Sequence, residues 1–115
     1  MAAAGLDARL APGRAAFNRG EFFAAHELWE DVWRGLAGDE RAFAQGLIQI
    51  AAGLHHLQRG RPRPAARLLA RGARKLSRPP ATTLPIPALL RDVTRLLTAL
   101  DAPAASAPDP AAIRF

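Results

Sequence analysis

Phe17-Asn18-Arg19-Gly20-Glu21-Phe22-Phe23-Ala24-Ala25-His26-Glu27-Leu28-Trp29-Glu30-Asp31-Val32-Trp33 holds both tryptophans, three of the five phenylalanines and four of the ten acids of a 115-residue chain. At about 100° per residue, Phe22, Trp29 and Trp33 fall within about 60° of His26 on one side of a helix. Ala25 and Val32 extend that apolar arc, and Glu30 lies about 40° to the other side of His26. Glu27 and Asp31 point further round, towards water or a second partner. The stretch therefore predicts an amphipathic helix with a histidine on or beside its inward stripe and a carboxylate one turn later. A polar group buried without a partner costs a few kcal/mol, so His26 needs a specific reason to be there.

Outward from this helix the same periodicity continues, and no strand-like alternation of useful length occurs. A first helix is expected from about Asp7 or Pro12 to Asn18, with Gly20 in its C-terminal turn. The second runs from about Glu21 to Leu36, with Gly35 and Gly38 at its exit. Asp39 is the expected N-cap of a third helix reaching Arg59. Gly60-Arg61-Pro62-Arg63-Pro64 breaks the chain before a fourth helix ending near Leu76. Prolines 79, 80, 85 and 87 mark an extended connector to a fifth helix over Pro87 to Leu100. Residues 1–101 are expected to form one helical domain, and 102–115 an irregular Ala/Pro-rich tail, docked by Ile113 and Phe115.

Arg19-Gly20 and Arg59-Gly60 repeat at a spacing of forty, each followed five residues after the glycine by Ala25 or Ala65. A glycine stop followed by a small residue suits two antiparallel helical hairpins plus a closing helix. This all-α array is weakly similar to tetratricopeptide repeats.

The net charge of +6 is concentrated. Residues 59–78 hold Arg59, Arg61, Arg63, Arg67, Arg71, Arg74, Lys75 and Arg78 without an acid. Arg67, Arg71, Arg74 and Arg78 share one helical face. Such a face suits solvent, the acidic surface of a partner protein, or a second copy of the chain. Nucleic acid is disfavoured, because no aromatic is interleaved and no reading motif accompanies it. Cysteine is absent, which excludes disulfides and thiolate metal sites. No stretch approaches the roughly eighteen consecutive apolar residues of a membrane span. The N-terminus lacks the basic start and apolar run of a signal peptide, so a cytoplasmic location is expected.

On the third helix, Phe43, Leu47, Ile50, Ala51, Leu54 and Leu57 make the main apolar stripe. Gln45, Gln49, Ala52 and His56 make a second, polar one, and His55 points between the two. Antiparallel second and third helices would bring His26 and Glu30 to Gln45, Gln49 and His56. Three chemistries fit such a pocket. His26, Glu30 and His56 are acceptable divalent-metal ligands. A His–Glu pair suits small-ligand binding or acid–base work. The plainer reading is a hydrogen-bonded network that sets helix register. Trp29 and Trp33, one turn apart, are read as core residues.

Two blocks are more specific than any of these patterns. They are Phe17-Asn18-x-Gly20-Glu21-Phe22-Phe23-x-Ala25-His26-Glu27-x-Trp29-Glu30-x-x-Trp33-Arg34 and Gln45-Gly46-Leu47-Ile48-Gln49-x-Ala51-Ala52, with His56 following. In this order and at this distance they resemble the bacterial and archaeal family known as domain of unknown function 309, over about residues 15–77. The resemblance implies a small all-helical cytoplasmic protein, with no established activity, substrate or cofactor. It points to His26, Glu27, Glu30, Gln45, Gln49 and His56 as the polar signature. Pro62 and Pro64 depart from the family's usual Asn-x-x-Gly-Ala at the start of the fourth helix.

Overall fold

A computed structural model describes residues 2–101 and 109–115. Its helices are α1 (Ala2–Asn18), α2 (Phe22–Trp33), α3 (Gly38–Gln58), α4 (Pro62–Leu76) and α5 (Ile86–Asp101), followed by a short 3-10 helix (Pro110–Ala112). The fold is all-α, and each helix packs chiefly on its neighbours in sequence.

The repeat at a spacing of forty is a repeated helix stop. Gly20 and Gly60 adopt φ of 78° and 72°, the left-handed region where a Cβ is unfavourable. Behind each, an amide reaches back five residues, Glu21 N to Ala16 O at 3.0 Å and Arg61 N to His56 O at 2.9 Å. These are the paired carbonyl closures that end a helix and reverse the chain. Ala25 and Ala65, five residues beyond each glycine, are fully buried where the next helix leans on the last.

Element ends differ from the sequence reading in three places. The first helix starts at Ala2, well before Asp7, and carries Pro12 in its interior. Pro12 lies on the exposed side, where water can hydrate the carbonyl that its missing N–H leaves free. Leu6, Leu10 and Phe17 on the opposite side are buried and hold the helix through it. The second helix stops at Trp33, and the chain turns through Arg34 and Gly35 to bury Leu36. The N-cap of α3 is Ala37; Asp39 lies inside the first turn and favours its positive end through charge. Pro62 begins α4 at a position where a helix needs no N–H.

The core has two parts. An aromatic corner joins α1, α2 and the C-terminal residues: Phe17 meets Phe22 edge-on at 4.9 Å and Phe115 at 5.0 Å, with Trp29 beside it at 5.7 Å. Trp29 donates its indole N–H to the Leu10 carbonyl at 3.0 Å. Phe115 is tied down by its amide, which donates to Asn18 Oδ1 at 2.8 Å, and by the Arg14 guanidinium on its carbonyl. Ile113 and Phe115 are therefore docked in the core, whereas 102–108 of the expected irregular tail lie outside the described residues.

The second part is the α3–α4 crossing. A Cβ on Gly46 would stand 3.0 Å from Leu76 and Lys75 side chains, and one on Gly72 would stand 2.8 Å from the Gly46 carbonyl. Gly53 meets Leu69 in the same way at 2.9 Å. Three glycines thus let two backbones approach more closely than any side chain permits. The connector before α5 is clamped to α1. Thr82 and Thr83 hydroxyls each donate to the Asp7 carboxylate at 2.6 Å, and the Thr83 amide donates at 2.8 Å. Burial alone would raise the Asp7 pKa, but these three bonds outweigh it and hold it below the usual carboxylate value.

Candidate functional site

The positions of α2 and α3 are fixed at both ends of their antiparallel contact. Gln58 Nε2 donates to the Gly20 carbonyl at 3.0 Å, and the Arg41 guanidinium lies 3.9 Å above the Trp33 ring. Between these points Ala52, His55 and His56 of α3 lie across from Phe23 and His26 of α2. The polar stripe of α3 therefore meets α2 at Ala52 and His56.

His26 Nε2 stands 3.3 Å from Glu30 Oε1. The His26 ring stacks on Phe23 at 5.8 Å, and Phe23 leans on His55 at 5.3 Å. His55 and His56 are neighbours at 6.4 Å. Phe23, His26, Ala52, His55 and His56 enclose a cleft of about 140 Å³. The cleft is built of three imidazoles, one phenyl ring and one methyl group.

Burial pushes the His55 pKa below its ordinary 6.5, and Arg59, the neighbouring His56 and His26, and Arg61 push it the same way by disfavouring a further positive charge. His55 is therefore held neutral at physiological pH.

Among the described residues, five buried side-chain polar atoms lack a hydrogen-bond partner. Four of them, His26 Nδ1, Trp33 Nε1, Gln49 Oε1 and His56 Nδ1, belong to α2 and α3. Each such atom has a desolvation cost on the order of 1–3 kcal/mol. The α2–α3 seam thus holds polar capacity that the fold does not use.

The sequence-derived residues divide. His26 and His56 line the cleft, and Glu30 reaches it through His26. Gln49 and Gln45 lie one and two turns further along the seam, outside the cleft. Glu27 is on the solvent side of α2. No three His, Asp or Glu side chains among the described residues converge so as to hold a metal ion. His26, Glu30 and His56, which the sequence allowed as a ligand set, are thus not such a group; the Glu30 carboxylate faces His26 Nε2. Two cleft residues were missed. Phe23 lies three residues before His26, a spacing that puts it on the same face, and His55 was read as pointing between the stripes.

Trp29 is a core residue, as expected, but Trp33 is only half-buried and closes the Arg41 end of the seam.

Arg67, Arg71, Arg74 and Arg78 are all exposed. They do not act as one strip. Arg71, Arg74 and Arg78 border a cleft against the start of α3, whereas Arg67, with Arg63, borders a groove against α5.

Fold and site together define a small helical-hairpin protein with an imidazole-lined cleft between its second and third helices. The chain belongs to the family described as Domain of unknown function (DUF309), which it matches over residues 10–68. That range includes all of α2 and α3 and ends before Arg71. A similar protein of Aquifex aeolicus (strain VF5), described as an uncharacterized protein, is 36% identical over 55 residues. The match covers 47% of this chain and 16% of that relative's length. No solved structure matches the chain significantly. No helix among the described residues is long and apolar enough to cross a membrane.

Proposed function

We propose that the protein binds a small planar ligand in the α2–α3 cleft, between Phe23 and the imidazoles of His26, His55 and His56. The observation that carries this reading is Phe23. It is 52% exposed, whereas the four other phenylalanines are buried, and it is stacked on a histidine. An aromatic ring left in water beside three imidazoles offers a face on which a second ring can stack. The volume sets the ligand's size. A cavity of about 150 Å³ holds one benzene ring, so a cleft of about 140 Å³ suits a single-ring heterocycle.

The polar groups set its chemistry. A proton on His26 Nε2 facing the Glu30 carboxylate leaves Nδ1 as an acceptor. The ligand it suits is a ring bearing an N–H or amino donor. In this reading the His–Glu pair orients the imidazole that meets the ligand.

Ligand-observed NMR with cytosine, nicotinamide, imidazole and benzene tests the reading. Rings carrying a donor should bind and benzene should not, and binding should vanish in Phe23→Ala with the fold intact. If none binds with a Kd below about 1 mM, or if binding survives Phe23→Ala, the reading fails.

A second reading is a helical interaction module in which the polar seam is structural. It draws on the exposure of Phe23 together with Leu28, which is 40% exposed. A sharp loss of thermal stability in both His26→Ala and Glu30→Gln, without any ligand response in the parent chain, would favour it.

A further inference from the structure

The basic residues of α4 carry an inference independent of the α2–α3 cleft. Near the C-terminal end of α4, Arg71, Arg74, Lys75 and Arg78 line a concave space of about 570 Å³ against Asp39 and Ala42 of α3. Its size falls within the roughly 300–1,000 Å³ of small-molecule sites. Four cations face one carboxylate, Asp39, so the lining carries a net charge of +3. The three ion pairs among the described residues join Arg19 to Glu21, His26 to Glu30 and Arg34 to Asp31, and none uses a cation of α4. The negative pole of α4 offsets only about half a charge, and the positive pole of α3 on the opposite wall contributes about as much with the other sign.

The site is also built on a rigid base. Lys75 and Leu76 lie directly against Gly46, where the α3 and α4 backbones touch. Arg71, Arg74 and Lys75 therefore project from a crossing that cannot open without losing close contact, so their backbone spacing is set before any ligand arrives. From Arg71 to Leu76 the helix rises about 8 Å, and Arg78 lies two residues beyond its end. That is the reach of a chain of phosphates rather than of a single one. Guanidinium groups pair with phosphate oxygens through two parallel N–H bonds.

We propose that this cleft binds an oligophosphate group, either free or as the phosphate tail of a nucleotide. A nucleic-acid track fits less well, because Arg63 and Arg67 turn to a separate groove beside α5 that contains Asp101.

The test is calorimetric titration of the full chain with inorganic triphosphate and with ATP, at about 50 and 200 mM salt. Saturable one-to-one binding is expected. Arg71→Gln/Arg74→Gln should weaken it about tenfold or more, since each change removes charge-assisted hydrogen bonds. Arg63→Gln/Arg67→Gln should weaken it less than about twofold, and Asp39→Asn should tighten it a few-fold by removing the only opposing charge. Tighter binding of ATP than of triphosphate assigns the source to a nucleotide, and equal binding assigns it to the phosphates alone. Equal losses from the two arginine pairs would overturn the proposal. So would tighter binding of single-stranded DNA with the loss spread along α4.

Discussion

Trp29 and Trp33 stand one turn apart on the same helix, and their environments are opposite. Trp29 is fully buried, ringed by Phe17 and Phe115, and its N–H is bonded to Leu10. Trp33 is half-buried under a guanidinium, and its N–H is buried without a partner. The difference separates the part of α2 that packs on α1 from the part that borders α3. On the α1 side the indole N–H is bonded and the space around the ring is filled, as on a face selected for folding. Along α3 the sequence leaves polar atoms unpaired and an aromatic ring in water, a combination that costs stability and is concentrated at sites of function.

Three experiments press on this contrast. The largest effect is expected from Gly13→Ala. A Cβ there would stand 2.3 Å from Trp29 Nε1, so it would drive the indole from its seat and break the bond to Leu10. Denaturant unfolding should show a loss of about 3 kcal/mol or more.

Next comes the pair Trp29→Phe and Trp33→Phe. The first removes a satisfied N–H and leaves a gap, for a loss of about 2 kcal/mol. The second removes an unsatisfied N–H, so stability should change by less than about 0.5 kcal/mol in either direction. Similar losses in both would erase the distinction between the two parts.

The smallest effect is in pH. The His55 pKa is lowered from 6.5 in the folded chain, so the unfolded chain takes up its proton first as pH falls. The contribution of His55 to stability is therefore full above 6.5 and is lost as pH drops through the folded value. Asp7 is lowered from 3.8, so its contribution is full above that value and is lost only at more acid pH. Melting temperature followed downward from pH 8 should decline first near the His55 window, and His55→Gln should flatten that first decline while leaving the Asp7 decline in place. A single transition confined to pH below 4 would contradict it.

The arrangement of α2 was legible because its apolar residues repeat at helical spacing and only one face can be inward. The two glycine stops were legible as well, since the same residues recur forty positions apart. The start of α1 was not, because Pro12 has the look of a first helical residue until Leu6 and Leu10 are seen buried on one face with Phe17. The identity of the cleft residues was only half legible. His26 and His56 follow from the wheel, but whether His55 also turns inwards depends on the angle at which α2 crosses α3, which no local pattern encodes. Exposure of Phe23 has the same origin. The split of the arginine face follows from where α3 and α5 meet α4, and one helix read alone cannot show it.

The α3–α4 crossing bears on how the molecule can move. The start of α3 forms one wall of the basic cleft and its end forms one wall of the imidazole cleft, about 15 Å along the same helix. With Gly46, Gly53 and Gly72 seated backbone to backbone, α3 cannot slide along α4 without a collision at each glycine in turn. Occupancy of one cleft therefore has no route to the other through that pair, which behaves as a strut and not as a lever.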